Sequence, residues 1–449
     1  MSRTTGTDPT VPTRRTFLQT AAGIGGIAMT GCLTESSKTT TAAGPAAGDS
    51  VTIGINVATS GDFSVQGTQE RRGAELAVRH LNEGGGWVGT EQFDDLSGDG
   101  LLGKSVETAI RNTDGDAETA ESNAEATFDT DNAIMLCGGT AGQAALAQRD
   151  VTADRQRIHM VTSAQLDVIT GEQCSPYSFR EMFPTYSTVL ALKNELDERF
   201  EGENNTYFQL YSNNTWGQEL KTHVETEFAD IGWPSNGSRE VMVGTQNFTE
   251  PLEDAAATDP DVLFLNLPGF DASVAVPQAK KILSEEVTVV VPLLTRRIAE
   301  TAGSKITDVV GTVPWDPIMA RFDPTPLSRT LIESYGSAYR TESDEEAPVP
   351  TGPVHVAYSQ VMVYAMAVER AGTFDADAVV EELEDASYNV GMSESETMRA
   401  CDHQANRPVP IVKGRIEGMQ KQGYYYELDV IRTDGTYGCD SPPASECSP

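Results

Sequence analysis

The chain has 449 residues, with 67 acidic side chains against 32 basic ones and a formal charge of −35. That balance offers no basic stripe to neutralise phosphates, which excludes nucleic acid as a partner. A surface so charged repels itself in dilute buffer, whereas near 1 M salt the Debye length falls to about 3 Å and screens it. The composition therefore points to a salt-loving, archaeal source. The acids are scattered along helical segments and do not form one block, so an acidic interaction tail is not expected.

The N-terminal stretch reads Thr13-Arg14-Arg15-Thr16-Phe17-Leu18, continues uncharged from Thr20 to Thr30, and ends Thr30-Gly31-Cys32. Paired arginines, a short apolar run and a small residue before cysteine form an export signal with a lipoprotein cleavage site. The run holds about a dozen residues, short of the roughly 20 that span a bilayer. The twin arginine resembles signals of the route that exports folded proteins. Residues 1–31 are then removed, and Cys32 becomes the lipidated N-terminus. Residues 32–50, rich in Ser, Thr, Ala and Gly, read as a flexible tether. The expected location is the extracellular face of the membrane.

The remaining chain alternates β-rich runs with helical patterns, the grammar of α/β architecture with parallel sheets. Residues 51–57 read as a strand. A helix over 68–82 places Leu76, Ala77 and Leu81 on one face and stops at Gly84-Gly85-Gly86. Strand 106–110, helix 116–128, strand 133–136, helix 143–154 and strand 158–161 complete a first set. The pattern restarts with helix 187–200, strand 207–211 and helix 218–228. Strands 240–243, 262–267 and 287–291 follow, with helix 272–283 between the last two. Helices 328–340, 353–370 and 376–383 then precede a hairpin-like pair at 412–417 and 424–431. The most apolar segment, 354–368, is interrupted by His355, Tyr358, Ser359 and Gln360 and does not read as a membrane span.

Five cysteines follow Cys32, so at least one stays unpaired in a monomer. Outside the cell disulfides persist. Cys439 and Cys447 flank a Pro-rich tail and could close it as a loop, which leaves Cys174 with Cys401 as the next pair. The five histidines are scattered, without His-Glu-x-x-His, so neither a metal nor a cofactor is expected. Asp402-His403 lacks a Gly-x-Ser-x-Gly partner, so no nucleophilic enzyme is expected either. Asn204, Asn213, Asn236 and Asn247 open glycosylation sequons, Asn213 being the least suited.

Ile53-Gly-Ile-Asn-Val-Ala-Thr-Ser-Gly-Asp62, Gly67, Gly73-Ala-Glu-Leu-Ala77 and Asn82-Glu-Gly-Gly85 resemble the opening of a known family. Cys137-Gly138-Gly139-Thr140, Phe179-Arg180, Trp216-Gly217, Phe248 and Asp402-His403-Gln404 follow in the matching order. The family is the extracellular type I solute-binding proteins of ABC importers, the branched-chain amino acid and amide/urea group. The resemblance covers residues 51–435. It implies two doubly wound parallel-sheet lobes joined by three chain crossings, near 182–185, 312–315 and 402–406. Lobe 1 would take 51–183 and 314–403, lobe 2 would take 184–313 and 404–436, and 437–449 would form a tail.

The resemblance also implies a ligand between the lobes, at the carboxyl ends of the strands. Carried over residue by residue, it nominates Gly138, Gly139 and Thr140 for backbone and hydroxyl contacts, and Ala164 and Gln165 from the next loop. Trp216 and Phe270 would cover the ligand from the second lobe, and Gln66 stands where the family often has an aromatic. Amino acid binders of the group commonly place a carboxylate after the strand that here continues Leu293-Leu294-Thr295-Arg296-Arg297. The missing acid turns the expectation toward an amide, urea-like or carboxylate solute. Arg296 and Arg297 read as a solvated helix start, and Asp402 and His403 as hydrogen-bonding groups of the hinge. The implied function is capture of a small polar solute and delivery to permease and ATPase subunits. The alternative is a sensing module that reports occupancy to a separate receptor.

Overall fold

The computed structural model describes residues 46, 48–201, 205–341, 347–415 and 436–448, together with the backbone of 425–431. The export signal, Cys32, most of the tether and Asn204 lie outside the described residues.

The first sheet is built from β1 (Ser50–Val57), β2 (Ser105–Asn112), β3 (Met135–Gly138), β4 (Ile158–Val161) and β5 (Ser178–Arg180). Its order is β2-β1-β3-β4-β5 and every pairing is parallel. Parallel neighbours need crossovers, supplied by α1 (Ser64–Glu83), α2 (Ala117–Asp129) and α3 (Gly142–Arg155). Strands β3 and β4 are buried at every position, which is why they read as short apolar runs without alternation.

The chain then enters a second sheet through α4 (Thr185–Arg199), β6 (Tyr207–Ser212), α5 (Thr215–Asp230) and β7 (Ser235–Val241). It continues with α6 (Thr249–Ala256), β8 (Val262–Asn266), α7 (Gly269–Ile282), β9 (Thr288–Leu293), α8 (Arg296–Ala302) and β10 (Val310–Thr312). Helices α9 (Leu327–Tyr339), α10 (Gly352–Ala371) and α11 (Ala376–Leu383) follow. A small antiparallel sheet of β11 (Ser387–Tyr388), β12 (Glu396–Met398) and β13 (Ala405–Asn406) comes next, and β14 (Val409–Gly414) and β15 (Tyr425–Ile431) close the chain. The second sheet runs β15-β14-β10-β9-β8-β6-β7, with β14 and β15 antiparallel and the rest parallel.

Helix α10 packs on α1, β3 and β4, so this late segment returns to the first sheet. It is buried on all sides from Val354 to Val368, as expected of a helix apolar around its whole circumference. No described helix is long and apolar enough to cross a membrane. The chain thus passes between the sheets three times, and Arg407 joins the three passages. Its guanidinium donates to the Glu181 carboxylate at 3.3 Å and to the Pro314 carbonyl at 2.9 Å, and stands 3.6 Å from Glu396.

Several expectations are corrected here. The strand expected at 133–136 pairs at Met135–Gly138, two residues later, and the hairpin strand expected at 412–417 pairs at Val409–Gly414. The disulfides are Cys174–Cys447 and Cys401–Cys439, not a closed 439–447 loop with a 174–401 pair. The reason is tertiary. The tail folds back on the first lobe, where Arg399 donates to the Tyr437 carbonyl at 2.6 Å and Pro443 packs against Gly171. Each tail cysteine is thereby carried to a different distant partner. Cys137 remains free and buried.

Candidate functional site

In both sheets the parallel strands point their carboxyl ends toward one cleft, which is lined by several of the turns that follow them. From the first lobe come Phe63 and Gln66 at the start of α1, Thr140 to Gln143 after β3, and Ser163 to Leu166 after β4. From the second come Asn213 to Trp216 after β6, Pro268 and Gly269 after β8, and Leu293 at the end of β9. Together they enclose a cavity of about 410 Å³. That size suits a small solute, in the usual place for α/β folds.

The lobes touch across this cavity. Trp216 donates its indole N–H to the Gln165 side chain at 3.1 Å, and Gln143 reaches the Thr215 hydroxyl at 3.5 Å. Gln165 is itself fixed through its amide nitrogen, to the Phe183 carbonyl at 3.2 Å and the Thr188 hydroxyl at 3.3 Å. Asn214 caps α5 by accepting the Gly217 N–H at 2.9 Å, which sets the direction in which Trp216 leaves the helix. The first turn of α3 leaves backbone N–H groups without helical partners beside the cavity, a favourable setting for negative charge. Beside the cavity, His223 on α5 pairs with Asp167 of the first lobe at 2.6 Å. Burial opposes a charge on His223, but the hydrogen bond and charge of Asp167 raise its pKa above the usual histidine value.

Beneath the first lobe's wall lies Glu70 of α1, fully buried. Thr140 accepts the Ala58 N–H at 3.0 Å and donates its hydroxyl proton to the Glu70 carboxylate. Burial pushes the Glu70 pKa up to about 7, with Ser163, Thr140, Thr162 and Gln66 opposing the shift. Next to the main cavity is a second chamber of about 320 Å³, with Phe270, Arg296 and Arg297 in its wall. The Phe63 and Phe270 rings meet edge to face at 5.7 Å, and Phe63 lines both spaces.

The structure gathers Gln66, Thr140, Ala164, Gln165, Trp216 and Leu293 around the main cavity. Three nominated residues fall outside its wall. A Cβ at Gly138 would lie 2.3 Å from the Asn56 carbonyl oxygen, so that glycine permits close packing of β3 on β1. Gly139, at φ +101°, turns the chain toward α3, where a Cβ would stand 3.0 Å from Ala145. Phe270 faces the second chamber. The Thr140 hydroxyl, expected to meet the ligand, is committed to Glu70. Asp402 pairs with Arg399 at 2.5 Å, and His403 pairs with Glu384 at 2.9 Å and stacks on Phe179.

Sequence reasoning placed the loops holding Ser163 and Asn214 at the cleft but missed Phe63 and Glu70. Phe63 sits where a strand gives way to a helix, a position readable in advance. Glu70 left a different signal: Gly67, Glu70, Ala74 and Ala77 share one buried stripe of α1, and an acid on such a stripe is out of place.

None of the curated proteins matches the chain. Among solved structures, an amino acid ABC transporter substrate-binding protein from Pseudomonas fluorescens is similar, with a TM-score of 0.75 at 22% identity. That match covers 88% of this chain and 98% of the other. A leucine binding protein from Thermotoga maritima gives 0.69 at 17% identity, covering 86% and 99%. A solute-binding protein of an ABC transporter from R. palustris, in complex with benzoate, gives 0.69 at 14%, covering 84% and 95%. The likeness to these structures is one of fold. A family model described as periplasmic binding protein matches residues 50–420, and the chain belongs to that family.

Proposed function

We propose that the protein is the solute-binding component of an ABC importer, held at the extracellular face of the membrane by a lipid on Cys32. The observation that carries the reading is the cavity between the lobes, walled by strand-to-helix turns from both sheets. A solute seated there gains contacts to both lobes only when they approach, so binding favours the closed arrangement. A permease can then distinguish loaded from empty protein. The three passages joined at Arg407 form the hinge of this motion. The lipid anchor is supported by the sequence Thr30-Gly31-Cys32 following the paired arginines.

The solute is small and polar. Similar proteins of this fold include a leucine binder and one holding benzoate, both ligands being small carboxylates. The backbone N–H groups at the start of α3 suit such a group. A thermal-shift screen of amino acids, amides, urea and small carboxylates in molar KCl tests the proposal. A saturable rise in melting temperature with one chemical class is expected. A protein whose melting is unmoved by every member of the set would contradict it.

A further inference from the structure

Glu70 is a buried acid without a cation. It is 0% exposed, and one carboxyl oxygen accepts from Thr140 while the other, Oε1, has no hydrogen-bond partner. Among the described residues Glu70 makes no ion pair, and the largest influence on it is burial. The polar side chains that favour its ionised form are Ser163, Thr140, Thr162 and Gln66, and three of these four line the main cavity. Among the described residues, the other titratable group that feels it is Cys137 on β3. Burial first, and the Glu70 charge second, keep that thiol protonated. A buried carboxylate with an unmet oxygen needs a donor or a positive charge. In this arrangement Oε1 has none, and three of the polar side chains around the carboxyl open on the cavity.

The orientation of the hydroxyls points the same way. Thr140 gives its proton to Glu70, so toward the cavity it can only accept. Ser163, turning its proton to the unmet oxygen, would likewise present lone pairs. This wall is therefore complementary to N–H donors and hostile to a second carboxylate.

Resting on the solute-binding reading above, we propose that Glu70 determines specificity by requiring an ammonium or amide N–H on the solute, relayed to its carboxylate through Thr140, Ser163 and Gln66. Glu70 acts through these residues and touches no solute atom itself. A solute with a carboxylate as well places it at the start of α3, so the preferred class is amino acids and amides. Because such a donor favours the ionised acid, binding releases protons near neutrality and tightens as the pH rises from about 6 to about 8.

The test uses pairs that share one carbon skeleton: L-leucine with 4-methylpentanoate, glycine with acetate, and benzamide with benzoate. Each is titrated calorimetrically into the full mature protein in molar KCl, in two buffers of different ionisation enthalpy. The N–H-bearing member should bind and its partner fail. Glu70→Gln, which keeps shape and an acceptor, should weaken that binding about tenfold or more and remove its pH dependence. A binder lacking N–H, or wild-type affinity in Glu70→Gln, would overturn this inference while leaving the solute-binding reading intact. If the variant does not fold, proton release by the wild type decides, and equal enthalpies in the two buffers near pH 7 would overturn it. No binding anywhere in the wider screen would contradict the solute-binding reading itself, and this inference with it.

Discussion

Trp216 of the second lobe donates its indole N–H to Gln165 of the first at 3.1 Å, so one side chain closes the cavity and ties its two walls. The ring packs against apolar clusters of both lobes, one around Val189 and Leu220 and the other around Ala145 and Leu166. It is half-buried and lies outside either sheet's interior. Trp216→Ala should therefore weaken solute binding by about 1–3 kcal/mol, the scale of a buried aromatic contact at an interface. Calorimetry against the solute found by screening measures the loss, and wild-type affinity in the variant would place the pocket elsewhere.

The pH dependence of stability follows from groups with opposite signs. Burial raises Glu70 and Glu219 to about 7 and Asp271 to about 6, so the folded protein holds protons the unfolded chain has lost. Their contribution is fully present below about pH 4.5 and is lost as the pH rises through the folded values. His223, also raised, changes stability in the same direction. Burial lowers His80 to about 4 and His159 and His355 to about 3, which costs stability below about pH 6.5 as the unfolded histidines take up protons. Burial also raises Glu181, Glu396, Asp316 and Asp402, so the raised acids outnumber the lowered histidines and stability should fall as the pH rises from about 5 to 7.5. Denaturant melts in molar KCl measure this, and Glu70→Gln should make the fall shallower; a rise in stability with pH over that range would contradict it.

Arg407 stands against two buried carboxylates, Glu181 at 3.3 Å and Glu396 at 3.6 Å. Burial raises both acids' pKa values. Removing one partner of a buried pair costs about 3–5 kcal/mol because the other charge is stranded. Arg407→Met should show that loss at pH 8 and a smaller one at pH 5, where the acids can be neutral. An equal loss at both values would mean that packing, not charge, makes Arg407 important.

With 67 acids against 32 bases, self-repulsion should destabilise the fold as ionic strength falls. The melting temperature should climb steeply between dilute buffer and molar KCl, where screening acts within about 3 Å. A level melting temperature over that range would make the charge incidental.

Much of this fold could be read in advance where one element is long or strongly patterned. The strand 158–161 and the helix 376–383 begin and end where the sequence places them. The three-residue strands β5 and β10 carry too little pattern to register, and α8 is under two turns of helix. Around the cavity, Trp216, Gln165 and Thr140 could be named because they sit just after strands. Gly138 and Gly139 misled because small residues serve backbone packing as readily as ligand approach, and here they meet Asn56 and Ala145. Leu293 to Arg297 contain no acid, whereas Glu70 lies in the opposite lobe, hidden on the inner face of a helix. The cysteine pairs were illegible for a related reason: only the folded tail brings Cys447 to Cys174 and Cys439 to Cys401.

Three of the four tryptophans, Trp87, Trp233 and Trp315, are buried at 0%, 2% and 1% exposure, and Trp216 is the one at the cavity. Intrinsic fluorescence titrated with the solute in molar KCl reports on the cleft through Trp216, and the Trp216→Phe variant separates that signal from the buried rings. The wild type should show a saturable change, and Trp216→Phe, with an unchanged melting temperature, should lose it. A saturable change of equal size in Trp216→Phe would contradict binding between the lobes.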